Sequence, residues 1–143
     1  MRILPLISLV VVCSFISSCK GCKDPEPEPI GGKGGNATLK ISPYHHDDPV
    51  TGKRNYIDSA SIVYIKYNAS DRPADGKYDD SVTCVMADGK PVAAFTGLKK
   101  GKYFLYGRGY DRVYATFVNG ITSYSITSES TQEYDFSISN HEK

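Results

Sequence analysis

Between Leu39 and Ile138 no stretch repeats apolar residues at the three-and-four spacing of an amphipathic helix, so no long helix is expected. Short runs rich in β-branched and aromatic residues recur instead, separated by turn chemistry. Leu39 and Ile41 alternate with Thr38, Lys40 and Ser42, a strand that Pro43 should end or push to an edge. Ser61–Tyr67, Val82–Met86, Val92–Phe95, Tyr103–Tyr106, Val113–Val118, Ile121–Ile126 and Tyr134–Ile138 supply the rest. Asp88-Gly89 and Asn119-Gly120 read as two tight hairpins. The stretch from His45 to Asp58 reads as a polar loop, and Ala69–Asp80, with its Pro and Gly breakers, as another. Seven or eight short strands at this spacing predict an all-β fold, a single antiparallel β-sandwich over residues 36–140.

One phrase narrows the expectation. Phe95-Thr96-Gly97-Leu98-Lys99-Lys100-Gly101-Lys102-Tyr103-Phe104-Leu105 resembles the Phe-x-Gly-Leu-x-x-Gly-x-Tyr-x-Leu signature of prealbumin-like (transthyretin-like) sandwiches, including the carboxypeptidase regulatory-like domains. The resemblance implies that Phe95 and Leu98 cap the core beneath a strand crossing, with Tyr103 and Leu105 continuing the buried face. Gly97 and Gly101 would allow the tight backbone between them. Generic Greek-key, Ig-like sandwiches share much of this pattern. The hydrolases of the transthyretin group use core histidines and a C-terminal Tyr-Arg-Gly-Ser, whereas this chain ends Ser-Asn-His-Glu-Lys. That activity does not carry over, and the chain is read as non-enzymatic.

Arg2, the apolar run Ile3–Ile16 and the small residues Ser17-Ser18 form a secretory leader over residues 1–18. The run is shorter than the roughly 20 residues that a membrane-spanning helix needs. Cys19 directly follows and resembles the lipobox cysteine of bacterial lipoproteins, which implies lipid attachment at Cys19. Residues 19–35 then read as a flexible tether of Pro-Glu repeats and glycines with a single aliphatic residue, Ile30. Lys23, Asp24, Glu26 and Glu28 behind the cysteine resemble the charged export signal of Bacteroidota-type surface lipoproteins. That resemblance implies an outer-membrane protein exposed at the cell surface, a periplasm-facing location being the alternative.

Lys and Arg number 17 against 16 Asp and Glu, and only Arg2 falls in the leader. A mature chain without net charge argues against nucleic acid as partner. Of the four cysteines, Cys13 leaves with the leader and Cys19 takes lipid. Cys84, in register with Val82 and Met86, is expected as a buried free thiol, a Cys22–Cys84 disulfide being the alternative.

Phe104, Tyr106 and Arg108 alternate opposite Tyr103 and Leu105, with Tyr110 and Arg112 close by, and form the candidate ligand face. His45-His46-Asp47-Asp48 holds metal-ligating residue types, but neighbours on an extended strand point to opposite sides, so a solvated loop and no metal site are expected. Asp71, Asp75, Asp79 and Asp80 lack the acid spacing of a calcium loop. Ser59 and Ser81, each after an Asp and before an apolar residue, resemble O-glycosylation acceptors of the same bacterial lineage. Asn36 and Asn68 open formal N-glycosylation sequons, which mean little in a bacterium. With no cofactor indicated, the expected role is a lipid-anchored module for glycan or protein contact, the alternative being a structural or tip subunit of a fimbria-like fibre.

Overall fold

The computed structural model describes residues 27–58 and 60–141. The leader, Cys19 and Ser59 lie outside them. The described residues form an all-β fold of ten strand segments: β1 (Lys33–Asp47), β2 (Arg54–Tyr56), β3 (Ile62–Tyr67), β4 (Asp80–Thr83), β5 (Val85–Ala87), β6 (Lys90–Leu98), β7 (Gly101–Asp111), β8 (Thr116–Ile126), β9 (Thr131–Ser137) and β10 (Asn140–His141). No helix among them is long and apolar enough to cross a membrane.

Two sheets make the sandwich. One runs β2-β1-β6-β5 with β9 added to β1, and the other runs β10-β8-β7-β3-β4. Pairing is antiparallel except for β1 and β9, which run parallel from Thr38↔Thr131 to Tyr44↔Ser137. β1 is paired on both sides: Leu39 faces Phe95 of β6 and Gln132 of β9, and Tyr44 faces Tyr56 of β2 and Ser137 of β9. The inward residues are fully buried. Leu39, Ile41, Phe95 and Leu98 come from the first sheet, and Val63, Ile65, Tyr103, Leu105 and Val118 from the second. Phe136 and Ile138 of the C-terminal segment complete the same core.

The stretch Phe95–Leu105 carries the chain from one sheet to the other. β6 leaves the first sheet at Leu98 and β7 enters the second at Gly101, so the chain changes layers in two residues. Gly97 (φ 69°) and Gly101 (φ 146°) supply backbone that side-chain-bearing residues rarely adopt. The Asp88-Gly89 hairpin also forms, with both residues at positive φ (51° and 78°) as a two-residue turn of this type needs.

Five expectations change. Asn119-Gly120 is not a turn but the middle of β8, and the real β7–β8 turn is Arg112–Ala115. Glycine at 120 serves packing, because a Cβ there would lie 2.7 Å from the Ile138 Cα. Pro43 does not end β1. It falls where the pairing partner changes from β6 (last pair Ile41↔Ala93) to β2 (first pair Tyr44↔Tyr56), so its missing N–H interrupts neither ladder. Val82–Met86 is two strands, since β4 belongs to the second sheet and β5 to the first. Cys84, at the crossing, is a buried free thiol whose amide donates to the Ser61 carbonyl at 2.8 Å. His45–Asp58 is largely a hairpin of β1 and β2 rather than a loop.

Finally, the ordered fold begins before Asn36, with β1 starting at Lys33. The phenol of Tyr103 accepts the Gly32 N–H (2.9 Å) and donates to the Lys99 carbonyl (2.7 Å), which docks the incoming chain against the β6–β7 crossing. Glycines free of side chains can lie flat there, as with Gly31, whose Cβ would meet the Lys102 carbonyl at 2.7 Å.

Gly120→Ala should lower the stability of the fold by about 1–3 kcal/mol through overpacking against Ile138. Chemical denaturation of the variant beside the parent measures it, and an unchanged midpoint would contradict the close approach.

Candidate functional site

Two places in the sandwich gather chemistry-bearing side chains. The first is the outer face of the β10-β8-β7-β3-β4 sheet. Because Tyr103 and Leu105 point into the core, Phe104, Tyr106, Arg108 and Tyr110 alternate outward, as expected. Their exposure differs from expectation. Phe104 is only 3% exposed and is no contact residue. The β3–β4 connection lies over this side, stacking Tyr78 on Tyr106 (centroids 5.8 Å apart) and setting the Arg72 guanidinium 5.8 Å from the Tyr106 ring. Tyr64 adds a third ring, 5.7 Å from Tyr106. Arg112 does not belong to the face. It sits in the turn after β7, and its Nε and Nη2 donate to the Asp58 carboxylate at 3.0 and 2.7 Å.

The face gains two residues that the sequence reading missed. Phe117 pairs with Tyr110 and Ile121 with Tyr106 across β7 and β8, and they are 55% and 51% exposed. Reading Asn119-Gly120 as a turn hid their shared parity. Once β8 is one strand, Phe117, Asn119 and Ile121 fall on one side by alternation. Ser81 stands exposed on β4, at the sheet edge.

The acids of the β3–β4 connection hold that segment in place. Asp79 accepts the Tyr67 amide (2.7 Å) and Lys66 Nζ (3.0 Å), and Asp75 accepts the Lys77 amide (3.0 Å). Partial burial acts to raise the Asp79 carboxyl, but the Tyr67 and Lys66 hydrogen bonds outweigh it and leave the group below its ordinary range.

The second place is the far end of β1. The register there passes from Tyr44↔Tyr56 to His46↔Asn55, so two steps on β1 match one on β2. That bulge at His45 undoes the alternation expected of neighbouring residues. The two imidazoles lie on the same side with centroids 5.1 Å apart, and Tyr114 packs edge-on against both, at 5.6 and 4.8 Å. Asp111, the last residue of β7, is 1% exposed and meets His45 Nδ1 at 2.7 Å. Its carboxylate also accepts the Asn55 side-chain amide (2.9 Å) and the Val113 and Tyr114 backbone amides (2.7 and 3.1 Å). Burial acts to raise Asp111, yet these bonds hold it below the usual carboxylate range. His46 Nε2 contacts the Tyr114 hydroxyl at 3.2 Å, while His46 Nδ1 is enclosed with no hydrogen-bond partner among the described residues. The expected solvated loop is therefore an organised cluster. Its signal in sequence was the His-His pair, and Asp111, 65 or more residues away, could not be joined to it without the topology.

Compared with known proteins, the chain matches no family model, no curated sequence and no solved structure.

Because its folded value lies below an unfolded value of about 3.9, Asp111 contributes fully at neutral pH and loses that contribution as pH falls through the folded value. Asp111→Asn should reduce stability at pH 7 by about 1.5–3 kcal/mol, and the gap from the parent should narrow in acid. Urea midpoints across pH test this, and a gap that stays constant would contradict it. Burial pushes the Cys84 thiol up to about 12. Its peptide should therefore resist alkylation in the folded chain at pH 8 and label readily in denaturant, as peptide mass mapping would show.

Proposed function

We propose that the chain is a lipid-anchored envelope protein that binds a partner protein through the outer face of the β10-β8-β7-β3-β4 sheet, without catalysis. The observation that carries this is the run of exposed or half-buried apolar and aromatic side chains across neighbouring strands: Tyr64, Tyr106, Tyr110, Phe117 and Ile121, with Arg108 among them. Aromatic and arginine side chains dominate binding energy at interfaces, and contiguous exposed apolar surface marks a contact site. The opposite outer face differs. Across β1, β6, β2 and β9 it carries a ladder of charge, Lys40 and Lys90 with Glu133, Lys90 and Arg54 with Asp135, suited to water.

A protein surface fits this face better than a sugar. The Tyr110 and Phe117 rings meet at 65° and the Tyr64 and Tyr106 rings at 34°, so the face is uneven rather than one flat platform. The anchored setting rests on the leader, the lipobox-like Cys19 and the charged residues behind it. They support the outer membrane, cell-surface side, as the location. The prealbumin-like label rests on the phrase Phe95–Leu105.

Photocrosslinking on intact cells tests the contact. A photoreactive phenylalanine analogue at position 117 should give a discrete protein adduct, and the same analogue at 133 on the charged face should give none. Ile121→Ser should cut the adduct at least tenfold while leaving the folded state intact, because Ile121 is half exposed. Equal adducts from both faces would overturn the proposal, as would retention on a glycan array abolished by Tyr106→Ala. For the anchor, labelled palmitate should enter the parent chain and fail to enter Cys19→Ser.

A further inference from the structure

We infer that His45, His46 and Asp111 form a binding site for a divalent transition-metal ion of the zinc type, at the far end of β1 from Lys33. The site goes beyond the contact face proposed above and does not depend on it. Each of the three residues offers a donor atom, and these atoms lie within 4.8 Å of one another. A tetrahedral zinc site with ligands at about 2.0–2.1 Å sets its donors roughly 3.3 Å apart. His45 and Asp111 already lie closer than that, at 2.7 Å. Binding therefore asks that the His45–Asp111 hydrogen bond give way, its proton leaving to solvent and the two atoms parting by roughly 0.6 Å, and that the third donor close in from within 4.8 Å. The His46 ring is half-buried, and the exposed Tyr114 forms its outer wall.

Three features favour an ion over a merely structural cluster. The bulge at His45 spends a residue of β1 to put two imidazoles on one side, where plain pairing would separate them. The two turn amides hold Asp111 Oδ1 and Asn55 shares Oδ2 with His45, so the carboxylate is fixed by the kind of outer support that orients metal ligands. His46 Nδ1 is enclosed with nothing to bond among the described residues, which is uncommon for a buried polar atom and is remedied by a Lewis acid. In that arrangement His46 Nε2–H donates to the Tyr114 hydroxyl, fixing the tautomer that presents the Nδ1 lone pair. Two imidazoles with one carboxylate suit zinc, nickel or copper. Calcium and magnesium prefer sites made of oxygen alone.

The test uses the full chain without a histidine tag, stripped of metal by chelator and dialysed. Zinc chloride titrated into it should bind at one ion per chain by calorimetry and raise the melting temperature, whereas calcium and magnesium chloride should do neither. Zinc should also shift the side-chain nitrogen resonances of both His45 and His46. His46→Ala should weaken zinc binding at least tenfold while leaving the circular dichroism spectrum unchanged. Asp111→Asn weakens the fold as well, so His46→Ala and His45→Gln are the decisive variants. The inference is overturned if zinc shows no saturable binding, if both histidine variants bind as the parent does, or if only His141→Ala removes binding.

Discussion

The first sheet is built on β1, and so is the join between the two ends of the molecule. Fifteen residues long, it pairs with β6, β9 and β2, leaving only β5 to reach the sheet through β6. A strand with partners on both edges has nearly all of its backbone groups satisfied and both registers fixed at once. Leu39 and Ile41 then point inward, into one buried cluster with Phe95, Leu105 and Phe136. The parallel pairing with β9 brings the C-terminal segment against the N-terminal strand. Phe136 and Ile138 consequently lie over Gly107 and Gly120, positions where no side chain would fit.

The length of β1 also sets the two ends of the sandwich far apart. At roughly 3.3 Å per residue it spans on the order of 45 Å. At its start, Gly31–Lys33 dock beside the β6–β7 crossing, where the tether would arrive from a membrane. At its finish, the bulge gathers His45 and His46 beside Asp111. Between these ends one outer face is charged and the other aromatic.

The sequence made the fold class legible because strand alternation and layer crossings are local. The phrase from Phe95 to Leu105 carries its own geometry, two glycines where the chain must fold back and apolar residues where it re-enters the core. Asp88-Gly89 was likewise readable. Asn119-Gly120 misled because the same dipeptide serves a hairpin or a close approach between strands, and only the position of Ile138 tells them apart. That error propagated, since a turn at 119–120 breaks the parity linking Phe117 to Ile121. The histidine cluster was hidden for a different reason. Alternation forbids adjacent imidazoles from converging, and the bulge that lifts the ban depends on the partner strand's register. Phe104 shows the same limit, because alternation puts it on the outer side of β7 and yet it is buried there.

If β1 organises the sheet as described, its doubly paired centre should be the last part of that sheet to open. Native-state hydrogen exchange followed by NMR measures this directly. The amides of Leu39, Lys40 and Ile41 should exchange only with global unfolding, more slowly than those of β2 and β5. Exchange of these three ahead of β6 and β9 would contradict the account, because the first sheet would then persist without the strand said to hold it together.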